Sequence, residues 1–232
     1  FKSVDYIIYG NSWSQLGSDI DGSVGDSFGF TLSLSSDGTI VAIGGQLNDT
    51  YGTNRGIVKV YQYSNNSWSQ LGSDFNGEAN KDRSGQSVSL SSDGNIVAIG
   101  AYINDGNGTD SGHVRVYQYS NNSWSQLGSD IDGEAASDYS GYSVSLSSDG
   151  TIVGIGATLN DGNGSSSGHV RVYQYSNNSW SQLGSDIDGE AANDQSGFSL
   201  SLSDNGTIVA IGSYGNDGNG TDSGHVRVYQ YS

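Results

Sequence analysis

Two observations predict an all-β fold, a β-propeller of four-stranded antiparallel blades: a four-fold internal repeat and a hydrophobic period of two. The tryptophans Trp13, Trp68, Trp124 and Trp180 fall 55, 56 and 56 residues apart, and the sequence between them recurs with them. Within each unit, β-branched and aromatic residues form short runs bounded by Gly, Asn, Asp and Ser, as at Val88 and Leu90, at Ile96 to Ile99, and at Val114 to Tyr119. No segment has helical periodicity. A unit of about 56 residues cannot bury both faces of its own sheet, and radial stacking supplies the missing contacts. A β-solenoid is disfavoured because its coils are usually shorter. A string of sandwiches is disfavoured because each would lack an adequate core.

The strands follow in order from the blade centre. In the second unit they are A, Ser87 to Ser91; B, Ile96 to Gly100; C, His113 to Tyr119; and D, Trp124 to Gly128. Asp37-Gly38, Asp93-Gly94, Asp149-Gly150 and Asn205-Gly206 turn A into B, because Asp-Gly and Asn-Gly tolerate positive φ. The chain reads as one repeat domain over 1–232, with units 11–65, 66–121, 122–177 and 178–232. A C-like strand, Asp5 to Tyr9, precedes them. Two arrangements stay open: the Trp13 strand completes the last blade and closes a four-bladed ring, or the four units are a segment of a larger propeller. The absence of methionine points to a piece of a longer chain.

Composition narrows the function. Eight basic residues against 25 acidic ones give a net charge of −17, which repels phosphate and disfavours nucleic acid and anionic membranes as partners. No apolar stretch approaches the ~20 residues of a membrane span, so no membrane insertion is expected in this segment. Without cysteine there is no disulfide framework, thiolate metal site or cysteine nucleophile. Antiparallel strands place the D-to-A and B-to-C loops on one face, and 20 of the 25 acidic residues lie in those loops.

Carboxylates beside Asn side chains and Gly carbonyls make oxygen-rich cages of the kind Ca²⁺ prefers. The candidate ligands are Asp105, Asn107 and Asp110; Asp130, Asp132, Glu134 and Asp138; and Asp186, Asp188, Glu190 and Asp194. The bidentate Glu that ends an EF-hand loop is lacking. The competing reading is a soluble, tightly turned surface. His113, His169 and His225, each in a different one of the last three units, read as solvated strand residues, and Arg115, Arg171 and Arg227 as outward groups paired with acids. Trp68, Trp124 and Trp180 either pack between blades or offer sugar-stacking platforms. Sequons at Asn48, Asn65, Asn107, Asn121, Asn163, Asn177, Asn205 and Asn219 are glycan sites if the source is eukaryotic and the chain secreted. Almost every polar group occurs three or four times, whereas an active site needs one asymmetric constellation, so no enzyme activity is expected.

The order Phe28-Gly29 (Ser84-Gly85, Ser140-Gly141 and Ser196-Gly197 in the other units), a strand, a turn, Ile-Val-Ala-Ile-Gly-Ala, Gly-His-Val-Arg-Val-Tyr and Trp-Ser-Gln-Leu resembles the FG-GAP blades of integrin-α-type propellers. Gly100-Ala101 and Gly156-Ala157 match that motif, Gly44-Gly45 and Gly212-Ser213 depart from it, and its proline is missing throughout. The family binds calcium in an Asp-rich loop between the first two strands. Here that connection is only Ser35-Ser36-Asp37-Gly38 and its copies, so the site is not carried over. The resemblance implies an extracellular, non-enzymatic binding or structural module of a surface protein or filament. Its partners would be proteins, glycans or other copies or domains of the parent assembly. The alternative is a multivalent lectin.

Overall fold

A computed structural model describes residues 12–232. The expected leading strand Asp5 to Tyr9 lies outside the described residues. The first blade contains β1 (Thr31–Leu34), β2 (Ile40–Gly45), β3 (Ile57–Ser64), β4 (Ser67–Gln70) and β5 (Phe75–Asn76). The second contains β6 (Ser87–Leu90), β7 (Ile96–Ala101), β8 (His113–Ser120), β9 (Ser123–Gln126) and β10 (Ile131–Asp132). In the third are β11 (Ser140–Leu146), β12 (Ile152–Ala157), β13 (His169–Ser176), β14 (Ser179–Gln182) and β15 (Ile187–Asp188). The fourth has β16 (Ser196–Leu202), β17 (Ile208–Ser213) and β18 (His225–Gln230). Every pairing between these strands is antiparallel and between chain neighbours, except that the third strand of each of the first three blades carries both halves of an interrupted outer strand.

That interruption departs from the expected strand D. After Gln126 the chain leaves the ladder and rejoins it at Ile131 and Asp132, opposite Val114 and His113. Residues expected in a free loop are therefore strand, and the hydrophobic residue of the second half, Phe75 or Ile131, is buried against the next blade.

The core lies between blades. Ile40, Ala42, Val58, Val60 and Phe75 of the first meet Val88, Leu90, Val97 and Ile99 of the second, and the same positions recur at the second and third junctions. Each interior strand thus shows apolar residues to both sides, which is why β2, β7 and β12 are buried along their whole length. Hydrogen bonds stitch successive innermost strands: Leu90 N donates to Ser33 Oγ (2.9 Å), Leu146 N to Ser89 Oγ and Leu202 N to Ser145 Oγ (3.0 Å each).

The arc does not close among the described residues. Leu32 and Leu34 of the first blade are 64% and 55% exposed where their counterparts Val88 and Leu90 are 8% exposed. At the far end Val226 and Val228 are 68% and 65% exposed, whereas Val58 and Val60 are fully buried. Among the described residues the Trp13 segment does not complete the fourth blade, so the expected closed four-bladed ring is not formed.

Candidate functional site

The loop face gathers its polar groups into a motif repeated at each junction. In the second, third and fourth blades the third strand starts at a histidine, which in the second and third the preceding connection covers. Burial follows: His113 and His169 are each 1% exposed, so the expectation of solvated histidines is wrong. Strand alternation in one blade does not reveal that the neighbouring loop folds over that end.

Around His113 stand Glu78 from the connection ahead of its blade and Asp130 from the break in the outer strand of its own. Nδ1 lies 3.5 Å from Asp130 Oδ2 and 3.9 Å from Glu78 Oε2. His169 repeats this with Glu134 and Asp186, each at 3.9 Å. Among the described residues these two triplets, Glu78–His113–Asp130 and Glu134–His169–Asp186, bring three candidate ligand atoms within 4.8 Å of one another. Nδ1 of both histidines is buried without a hydrogen-bond partner. Burial, reinforced by the Arg115 guanidinium and partly offset by Asp130 and Asp82, pushes His113 down to about 4. His169 is lowered by the same causes, burial first and Arg171 second. Both imidazoles are therefore neutral at pH 7, the form that binds a metal.

The arginines are not outward either. Arg115, Arg171 and Arg227 reach back to the preceding connection, with Nη1 at 3.5, 3.3 and 3.7 Å from Glu78, Glu134 and Glu190. They also donate to the carbonyls of Asn76, Asp132 and Asp188. Each glutamate thus turns one oxygen to an arginine and the other to a histidine.

The expected calcium sets are not gathered as such. Asp138 and Asp194 are buried and used structurally: Asp138 Oδ2 accepts Ala135 N (3.0 Å) and Asn160 Nδ2 (3.2 Å), and Asp194 Oδ2 accepts Glu190 N, Ala191 N and Asn216 Nδ2. Asp105 accepts Asp110 N at 2.8 Å, closing a turn in which Asp110 has φ 53°, and Asn107 Nδ2 donates to the Gly133 and Glu134 carbonyls. Asp132 and Asp188 are exposed on the outer strand, and Asp188 Oδ1 lies 4.0 Å from His169 Nδ1. Of the expected ligands, Asp130, Glu134 and Asp186 enter the histidine groups. Glu190 stands 3.6 Å from His225. The histidines, Glu78 and the buried Asn104, Asn160 and Asn216 that brace the loops were the missed members. Their signal was the recurrence of His two residues before Arg in the last three copies.

Trp68, Trp124 and Trp180 are half-buried, and each indole N–H donates to the preceding blade's carbonyl, of Leu16, Leu71 and Leu127 at 2.8, 2.7 and 2.7 Å. The rings also lean on Tyr63, Tyr119 and Tyr175 at 5.1 Å. Asn65, Asn121 and Asn177 are exposed at hairpin tips with φ near 50°. Asn205 and Asn219 are exposed, and the Asn107 and Asn163 amides are engaged with backbone carbonyls. Asn48 is 2% exposed and bonded to Thr50, which closes it to modification in the folded chain.

The FG-GAP repeat family model matches residues 76–117, from the outer strand of the first blade through the third strand of the second. The expected FG-GAP resemblance is thereby borne out. No curated protein matches the chain. Among solved structures it is similar to Kuenenia stuttgartiensis hydrazine synthase, with TM-score 0.56 and 11% identity over 94% of this chain and 49% of that one. It is also similar to a chain of the mitotic checkpoint complex, with TM-score 0.53 and 12% identity over 88% of this chain and 51% of that one. At such identities the likeness is one of fold, a β-propeller, and this chain spans about half the length of either structure. Among the described residues, no helix is long and apolar enough to cross a membrane.

Proposed function

We propose that the chain is a non-enzymatic interaction module of an extracellular surface protein or filament, whose loop face binds divalent cations at the Glu–His–Asp groups. The carrying observation is the pair of buried, unpartnered Nδ1 atoms, each facing two carboxylates from different connections. An ion there ties consecutive connections together and stiffens the face offered to partners. One imidazole nitrogen with two carboxylates suits a zinc-class ion, whereas calcium takes six to eight oxygens. The same groups recur from junction to junction, which supports repeated weak binding over catalysis.

Calorimetric titration with ZnCl₂ and CaCl₂ is the test, with melting curves at matched ionic strength. Zinc is expected to bind at two sites per chain and raise the melting temperature. Calcium should act no better than sodium chloride, and His113→Ala with His169→Ala should remove the zinc response. A zinc effect no larger than that of sodium chloride, or one unchanged in the double variant, would overturn the cation reading. Interaction is tested by capture from the surface fraction of the source organism and by a glycan array. A specific protein partner lost on loop-face substitution supports the module. Sugar binding abolished by Trp124→Ala would instead favour the lectin.

A further inference from the structure

One group of side chains escapes the repeat. At the junction of the second and third blades Tyr102, the residue after β7, meets Tyr139 and Tyr142, the outer residues of the four-residue turn that opens the third blade. The corresponding positions hold Gln46, Arg83 and Gln86 at the first junction and Thr158, Gln195 and Phe198 at the third, so no residue type is kept from one junction to the next. The turn itself is constant. Gln86 N donates to Arg83 O (3.1 Å), and Tyr142 N to Tyr139 O and Phe198 N to Gln195 O (3.2 Å each), around an identical Ser-Gly centre.

This contrast separates what the fold needs from what it only carries. The first junction closes with Gln, Arg and Gln, so closing a blade onto its neighbour does not require a tyrosine cluster. Arg83, Tyr139 and Gln195 moreover hold φ at 53°, 59° and 52°, a left-handed conformation that glycine adopts freely and a long side chain does not. A large side chain stands there nonetheless, and its chemistry changes each time. The asymmetric constellation missing from the rest of the repeat lies here.

We propose that the Tyr102–Tyr139–Tyr142 cluster is a binding site for a neutral oligosaccharide, one per chain. The inference supplies a partner for the loop face and so rests on the interaction-module reading; it does not involve the cation groups. Tyr102 forms the floor at 8% exposed, and the half-buried Tyr139 and Tyr142 stand edge-on to it, with ring centroids at 5.1 and 5.5 Å and interplanar angles of 81° and 82°. Arg83 fixes the floor, donating from Nη1 to the Tyr102 hydroxyl with its guanidinium carbon 5.7 Å from the ring centroid. Phe198 extends the aromatic surface, 5.1 Å from Tyr142. A blade flanks this junction on either side, so the exposure of Tyr139 and Tyr142 belongs to the loop face.

Charge and size select the occupant. Burial holds the Tyr139 and Tyr142 phenols above their ordinary value, so each offers a neutral hydroxyl that donates and accepts beside an apolar ring. A sugar presents the complementary pair, a C–H face and a rim of hydroxyls. The surrounding loops carry most of the acidic residues and repel an anionic ligand, while the Arg83 guanidinium on Tyr102 repels a cationic side chain. A neutral ligand remains. A standard protein interface engages about 20 to 30 residues a side. The unrepeated cluster is a handful of side chains, the footprint of a few sugar units.

A glycan array of neutral, sialylated and sulfated oligosaccharides tests this, followed by calorimetric titration of the metal-free 232-residue chain with the neutral member bound best. Neutral oligosaccharides alone should bind, at one site per chain. Tyr139→Gln with Tyr142→Gln installs residues that the fold already accepts at those positions, as Gln195 and Gln86, and should raise the dissociation constant about ten-fold or more with the circular dichroism unchanged. Trp124→Phe, which keeps the rim packed, should leave sugar binding as it is. No neutral oligosaccharide bound, charged glycans bound equally well, three or more sites per chain, unchanged affinity in the double variant, or loss of binding in Trp124→Phe would each overturn the proposal. A protein partner lost in the double variant, with no sugar bound, would also overturn it while leaving the interaction module standing. The titrations contain no metal, so the outcome with zinc does not enter.

Discussion

A glycine pair sets how closely two blades approach. A Cβ on Gly100 would meet the Gly141 carbonyl at 2.1 Å, and Gly44 and Gly156 stand in the same relation to Gly85 and Gly197. The partner glycines also hold φ near 85°, which disfavours any side chain there. These motif glycines were legible in the sequence as a repeated signature. Their role was not, because the contact is between units that the repeat only lays end to end. The histidines failed for the same reason, and their burial has a measurable consequence. His113 titrates near 4 in the fold against 6.5 in the unfolded chain, so between those values the unfolded state binds more protons. Its contribution is complete above pH 6.5 and is lost as pH falls toward 4, at about 1.4 kcal/mol per unit of pKa difference. Urea unfolding at pH 7 and pH 4.5 should show a larger acid loss for wild type than for His113→Leu. Equal losses would place the acid sensitivity among the carboxylates.

Among the elements, the inner three strands were the legible ones. In the second unit their ends fall within one residue of the β-branched and aromatic runs, because buried alternation and Asp-Gly turns fix them locally. The outer strand was half missed: Ile131-Asp132 looks like an acidic loop until Ile131 is seen packed beneath Trp180. That tryptophan closes the rim by donating to Leu127 O and filling the space beside Gly128. Trp180→Phe keeps much of the packing and loses the hydrogen bond, about 1 kcal/mol. Trp180→Ala removes both and should cost about 3 kcal/mol. Equilibrium unfolding that ranks the two variants in that order supports a packing role; indifference to both would free the indole for another one.

At the scale of the molecule, the sequence announced a one-sided charge, and the structure gives it an arrangement. Net charge is −17, and the acidic loops of all blades emerge together. Arg115 and Arg171 answer Glu78 and Glu134 at the junctions, whereas no Lys or Arg side chain forms an ion pair with the exposed Asp132 and Asp188 among the described residues. Asp132 is raised above its ordinary value by burial first and by neighbouring Asp130 second, the direction that like-charge crowding dictates. Two opposed responses to salt are possible. If repulsion across the face dominates, screening stabilises the fold; if the arginine and glutamate pairs dominate, screening weakens it. Three arginine–glutamate pairs stand among the described residues against a net charge of −17, and the carboxylates feel a Debye length that shrinks from about 30 Å at 0.01 M to about 10 Å at 0.1 M. Repulsion should therefore govern. The melting temperature is expected to rise with sodium chloride over that range, and Asp132→Asn with Asp188→Asn to raise it at low salt and flatten the salt response. A melting temperature that falls with salt would assign the loop face's electrostatics to its internal ion pairs.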